Sequence, residues 1–296
     1  MRGIRAAAVV VGVLGSALPG WAADLPKPAP AVAAPVPFVG SGWTFRATPY
    51  AWFTALNGSQ TIKGRTLDVD ASFADIFNST IGDGGSLVAL MLDMEARNGK
   101  FALLADVIAE SITLDKSGFR TRSVVPGVTG TLGAGLDMTF NMAIVEAGGA
   151  YEVGQMGPVA FDVLAGARYW YQKIDATIDL AGTVDLGNLV VGGGRAIAQS
   201  GSVDWIDAFA GVRARVSLTP SQHLELRGDM GGGGSRFTWN ALAAYAYDFT
   251  TKNGVTYSGV IGYKALYVDY VQGAGANRYA FDMLQHGPLL GLSVRF

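Results

Sequence analysis

The sequence predicts an all-β fold: a transmembrane, antiparallel, up-and-down β-barrel of about ten strands, with eight or twelve as the alternatives. Three observations predict it. From Gly42 onward, apolar residues recur at every second position, the period of a strand with two different faces. The links between these segments are short and long in strict alternation, as in a barrel with tight turns on one rim and loops on the other. The apolar phase of most segments is also free of charge over the height of a bilayer core, where a charge at the midplane costs roughly 2 to 4 kcal/mol.

Composition agrees. Half of the 296 residues are hydrophobic and 16% are charged, yet no window holds the roughly 20 unbroken apolar residues that a spanning helix needs. The 41 glycines and the aromatic content suit many strands better than helices. The absence of cysteine excludes disulfides, thiolate chemistry and Cys-ligated zinc. A formal charge of −2 argues against nucleic-acid binding, which calls for a basic surface.

Residues 1–22 read as a signal peptide. Arg2 and Arg5 precede a short apolar run, and Gly20, Trp21 and Ala22 place small residues at the −3 and −1 positions of a cleavage site after Ala22. A membrane anchor is the weaker alternative, because Pro19 and Gly20 cut the run short. Residues 23–41 contain DLPKPAPAVAAPVP, a proline-rich periplasmic tether that cannot pair within a sheet. Residues 42–296 form the barrel.

The first strand, WTFRATPYAWFTA, sets Trp43, Phe45, Ala47, Ala51 and Phe53 against Thr44, Arg46, Thr48, Tyr50 and Thr54. The second places Val88, Leu90, Leu92, Met94 and Ala96 on one face, with Asp93, Glu95 and Arg97 on the other. Asn98-Gly99 follows, a dipeptide that tolerates the positive φ of a type I′ hairpin turn. The third strand has Phe101, Leu103, Ala105 and Val107 outward and Asp106 and Glu110 inward. Further strands are expected near 134–152, 158–176, 203–218, 222–230, 236–249, 255–270 and 279–296. In the fifth, the seven alternate positions Val159 to Tyr171 are uncharged, opposite Asp162, Arg168, Trp170 and Gln172. The fourth is irregular: Glu146 shares the phase of Met138, Phe140, Met142 and Ile144, which read as lipid-facing, unless a bulge at Gly148-Gly149 or a nearby register change turns it inward.

Long links fall at 57–85, 115–133, 177–202, 231–235 and 271–278. In the first, Phe73, Ile76 and Phe77 have near-helical spacing and predict one or two helical turns. Asp68, Asp70 and Asp75 in that loop could bind a divalent cation, although the overall expectation is neither a metal nor a cofactor. Gly231 to Gly234 precedes a strand, so it makes a turn and no phosphate loop. An open sheet edge cannot survive in hydrocarbon, so the last strand must meet the first. Trp43, Trp239, Tyr247, Phe249, Tyr257, Tyr267 and Phe296 are candidates for interfacial belts.

The inward phase collects Arg46, Arg97, Lys100, Arg168, Arg213, Arg215, Arg227, Lys264 and Arg295 against Asp93, Glu95, Asp106, Glu110, Asp137, Asp162, Asp207, Glu225 and Asp229. In a barrel of this size the lumen is narrow, so these charges should pair across it and largely fill it. That favours a structural or surface-exposed barrel over a narrow porin. A third reading, a lipid-modifying enzyme or protease, rests on Asp282 and His286, which share a phase and read as an inward pair. His223 reads as a solvated turn residue. No catalytic residue is assigned.

The chain resembles the proteobacterial outer-membrane β-barrel proteins, particularly a family without settled function. The likeness lies in the stretch from Trp205 to Phe249, in GYKALYVDY at Gly262 to Tyr270, in DMEARNGKFALLADVI at Asp93 to Ile108, in GARYWY at Gly166 to Tyr171 and in the final GPLLGLSVRF. ADLP at Ala23 to Pro26 is similar to the mature start of alphaproteobacterial surface antigens and porins. The resemblance implies the outer membrane, reached through the periplasm, with its lipids and lipopolysaccharide as surroundings. It also implies that Phe296, with alternating apolar residues before it, is a signal for the barrel-assembly machinery. It carries over no catalytic residue and identifies no loop partner.

Overall fold

The computed structural model describes residues 42–62, 64–78, 86–120, 133–181, 183–185, 190–192 and 195–296. The signal and tether assigned to residues 1–41 lie outside the described residues. Most of the described residues form one closed antiparallel wall of ten strands. The first wall strand is in two pieces, β1 (Thr44–Trp52) and β2 (Ala55–Ile62), both paired with the last. Next come β3 (Arg65–Ala71), a hairpin partner of β2 outside the wall, and a single helical turn, α1 (Phe73–Phe77). The wall continues with β4 (Ser86–Asn98), β5 (Phe101–Arg120), β6 (Gly133–Met156) and β7 (Val159–Ala181). A small separate ribbon, β8 (Thr183–Asp185) with β9 (Val190–Gly192), precedes β10 (Arg195–Thr219). β11 (Gln222–Gly233), β12 (Phe237–Lys252), β13 (Val255–Gln272) and β14 (Tyr279–Arg295) complete the circuit, and β14 pairs with β1 to close it.

Each neighbour follows in sequence, so the topology is up-and-down and every wall strand is paired on both sides over part of its length. The seam is tied at its end by reciprocal backbone bonds between Phe45 and Phe296, of 2.7 and 2.9 Å. It also contains Pro49 and Pro288, which have no N–H to give to the ladder. At Phe53 and Thr54 the first strand breaks. There the chain presses against Gly287, where an added Cβ would lie 2.0 Å from the Phe53 carbonyl oxygen.

Several strands are longer than the alternation predicts. β5 runs to Arg120 instead of ending near 111, and β10 starts at Arg195 instead of near 203. Much of the expected loops 115–133 and 177–202 is therefore strand, because backbone pairing continues after the lipid that enforces alternation has been left behind. The predicted helical turn is present, capped by Ser72: its hydroxyl accepts from the Asp75 amide at 3.2 Å while the Asp75 carboxylate accepts from the Ser72 amide at 3.0 Å. These bonds hold the Asp75 carboxyl below its ordinary pKa.

The hairpin at Asn98-Gly99 is shifted by one residue. Asn98 pairs with Phe101, so Gly99 and Lys100 form the turn, and only Gly99 has positive φ. The Asn-Gly turn with both residues at positive φ occurs instead at Asn253 (54°) and Gly254 (80°). Lys100 is therefore an exposed turn residue, not a lumen residue as expected.

The outer face is what a bilayer requires. Val88, Leu90, Ile206, Val212, Met230 and Leu292 are each at least 60% exposed, an arrangement that water would penalise and hydrocarbon rewards. Aromatic residues mark both borders. Trp43, Phe45, Tyr247, Phe249, Tyr257 and Phe296 lie toward the short turns, with the Phe45 and Phe296 rings stacked at 5.7 Å. Phe237, Trp239 and Tyr267 lie toward the long loops, with the Trp239 and Tyr267 rings 6.3 Å apart.

Candidate functional site: the barrel lumen

Register lines up the inward residues of neighbouring strands in rows. One row, across β4, β5, β6, β7 and β10, is Asp93, Asp106, Glu146, Arg168 and Asp207. Two residues toward the long loops, the same strands contribute Met91, Ile108, Ile144, Trp170 and Trp205. One step along the pleat thus changes the lumen from charged to apolar.

The charged layer is densely paired. Asp162 accepts from Arg97 at 3.0 Å, Arg213 at 2.8 Å and Arg215 at 2.9 Å, and Arg215 also reaches Glu152 at 2.7 Å. Glu95 is shared among Arg46 at 3.2 Å, Arg97 at 2.8 Å and Arg213 at 2.8 Å. Arg46 extends to Asp93 and Glu225. A second cluster centres on Arg168, which is fully buried and donates to Glu146 at 2.7 Å, Asp229 at 2.7 Å and Thr238 at 3.1 Å. Arg227 bridges the same two carboxylates at 2.8 Å each, and the Phe209 ring lies under both guanidinium groups. Lys264 pairs with Asp106, which also accepts from the Tyr50 hydroxyl at 2.8 Å.

Toward the long loops, the lumen is filled by one apolar cluster that includes Trp52, Met91, Ile108, Met142, Ile144, Leu266, Val268, Phe281, Met283 and Leu289. The Trp170 and Trp205 rings stack at 5.4 Å, and Trp205 stacks on Tyr270 at 3.9 Å. Gln172 and Gln285, both buried, point their amide nitrogens at the Met142 sulfur, at 3.7 and 3.8 Å.

The expected network therefore needs correction at several residues. Phe140, Met142 and Ile144 face the lumen, not the lipid, and Glu146 turns inward with them, in a register with β7 that is uninterrupted from Gly133 to Glu152. No bulge is needed, because the interior at their height is itself apolar. Asp207 faces inward but accepts from the Trp205 indole at 3.1 Å and the Ser235 amide at 2.6 Å, so it anchors the β11–β12 turn. Glu110 sits one row beyond the apolar residues, opposite Met142, with no cation beside it among the described residues. Arg295 belongs to a separate rim cluster: Asp248 accepts from Arg295 at 3.0 Å and from Ser258 at 2.6 Å, and lies 3.2 Å from His223, which is thereby partnered and not merely solvated. The Asp137 side chain lies outside the described residues.

Asp282 and His286 do not form an inward dyad. Both lie on the outward phase of β14 with Leu284, Leu290 and Leu292. The His286 ring nitrogens meet Tyr263 at 2.6 Å and Asn57 at 2.7 Å, while Asp282 accepts from Tyr267 at 2.8 Å. Their parity with Leu290 was the signal for this placement. In the first loop, Asp70 accepts from Asn57 at 2.7 Å, and among the described residues no group of three acidic or histidine side chains is poised for a metal.

No protein-family model matches the chain, and no curated protein matches it in sequence. Among solved structures, it is similar to the outer membrane protease OmpT from Escherichia coli, at 9% identity over 86% of this chain and 97% of that one, with a TM-score of 0.42. The attachment invasion locus protein Ail of Yersinia pestis, solved with the heparin analogue sucrose octasulfate, gives 12% identity over 87% and 100%, with a TM-score of 0.34. The translocator domain of autotransporter NalP from Neisseria meningitidis gives 13% over 86% and 88%, with a TM-score of 0.37. Likeness at this level assigns no activity.

Proposed function

We propose that the protein is a stoppered outer-membrane barrel, a structural scaffold that presents its long-loop rim at the cell surface and does not conduct solutes. The observation that carries this reading is the pair of lumen layers, in which Arg168 and the adjoining Trp170 are both fully buried. Ions crossing the first layer would have to displace guanidinium–carboxylate pairs that satisfy one another. Crossing the second would require them to leave water among tryptophan and methionine side chains. Outer-membrane lipids and lipopolysaccharide are the surroundings that suit the apolar outer wall, and the barrel-assembly machinery is the partner proposed to read Phe296. Refolded protein in a planar bilayer tests the central claim. A flat current trace is expected, whereas discrete ion-selective steps would establish the narrow porin in its place.

A further inference from the structure

The outer wall carries a feature that the stoppered lumen does not explain. Two outward rows cross β12, β13 and β14 to the seam with β1. One runs Tyr247, Gly259 and Leu292, and the other runs Tyr245, Ile261, Leu290 and Ala51. Small residues at Gly259 and Ala51, together with Pro49, leave the tyrosines and leucines standing around a depression. The resulting shallow groove has a volume of about 690 Å³ and no charged residue in its lining. The space over Gly259 is open, since a Cβ built there would meet no heavy atom within 4 Å.

The height of the groove indicates what occupies it. Gly259 lies one outward step above Tyr257, a member of the short-turn aromatic border, so the groove opens into the leaflet on that side. An uncharged channel in a lipid-facing wall matches a hydrocarbon chain. Lys252, exposed beside the hairpin that joins β12 to β13, supplies a cation at headgroup depth below the same strands. We infer that the groove is a specific site for one acyl chain of a phospholipid from the short-turn leaflet, whose phosphate faces Lys252. This is independent of whether the lumen conducts.

The test uses the purified full barrel, stripped of lipid in detergent and titrated with phosphatidylglycerol, with bound lipid counted by native mass spectrometry. Gly259→Leu fills the groove from β13, and Ala51→Leu fills it from β1. Gly228→Leu, on the outward phase of β11 with equally open space, adds the same bulk elsewhere on the wall. The parent and Gly228→Leu should each retain a lipid. Each groove-filling variant should bind it about tenfold more weakly, the loss expected when roughly two methylenes are displaced. Lys252→Ala should weaken binding in the same direction. Unchanged affinity in whichever groove-filling variant refolds, or an equal loss in Gly228→Leu, overturns the site.

Discussion

The two layers of the lumen are made by the same strands and differ by two residues along each. In the charged layer, Asp162, Glu95, Glu146 and Asp229 each have more than one guanidinium partner. In the apolar layer, indole, thioether and aliphatic groups fill the same cross-section, and no member of the cluster carries a charge. The comparison teaches that a barrel wall fixes only its outer chemistry. Lipid demands apolar residues outside at every height, but the interior can be closed either by matched charges or by packed hydrocarbon.

The largest effect should come from breaking the charged layer on one side only. Arg168→Met leaves the buried carboxylates Glu146 and Asp229 each short of a partner, and should cost about 3 to 5 kcal/mol in urea unfolding of the refolded barrel. The double change Glu146→Leu with Arg168→Met should cost less than the single one if Glu146 is the charge chiefly stranded, and a cycle of the four proteins would measure that coupling. A somewhat smaller loss, about 2 to 4 kcal/mol, should follow Ile144→Ala, which opens a cavity in the apolar layer and leaves no charge unpaired. Added salt should not rescue Ile144→Ala, since no charge is involved. The smallest effect is expected for Lys100→Ala, within about 0.5 kcal/mol of the parent in the same assay, because the side chain lies on an exposed turn. A loss of several kcal/mol there would return Lys100 to the lumen network.

The same comparison explains what was legible in the sequence. Where the interior is charged, period two separates the faces without ambiguity, and alternation alone places Arg46, Glu95, Asp162, Arg168, Arg213 and Arg227 inward. Where the interior is apolar, both phases of a strand are apolar, and alternation shows which residues share a face without showing which face it is. That is why alternation alone sends Met142 and Ile144 to the lipid and makes Glu146 look misplaced. Counting register across β4 to β10 resolves it, because Ile144 pairs with Ile108 and Trp170, but register is a property of the paired strands and is not written in any one of them. The hairpins show the same limit. Asn-Gly occurs at 57–58, 98–99 and 253–254, yet only the last supplies both central residues of a turn, since the pairing on either side decides where the chain reverses.

Pro49 and Pro288 stand in the two strands that have no neighbour on one side until the wall is complete. A proline withholds a donor from any ladder laid against it, and such residues on an exposed margin discourage pairing with a foreign strand. The seam's missing backbone bonds therefore act as a guard on the unfinished sheet. The two sides can still find each other through Phe45 and Phe296, while a stray chain is offered an incomplete template on which to aggregate.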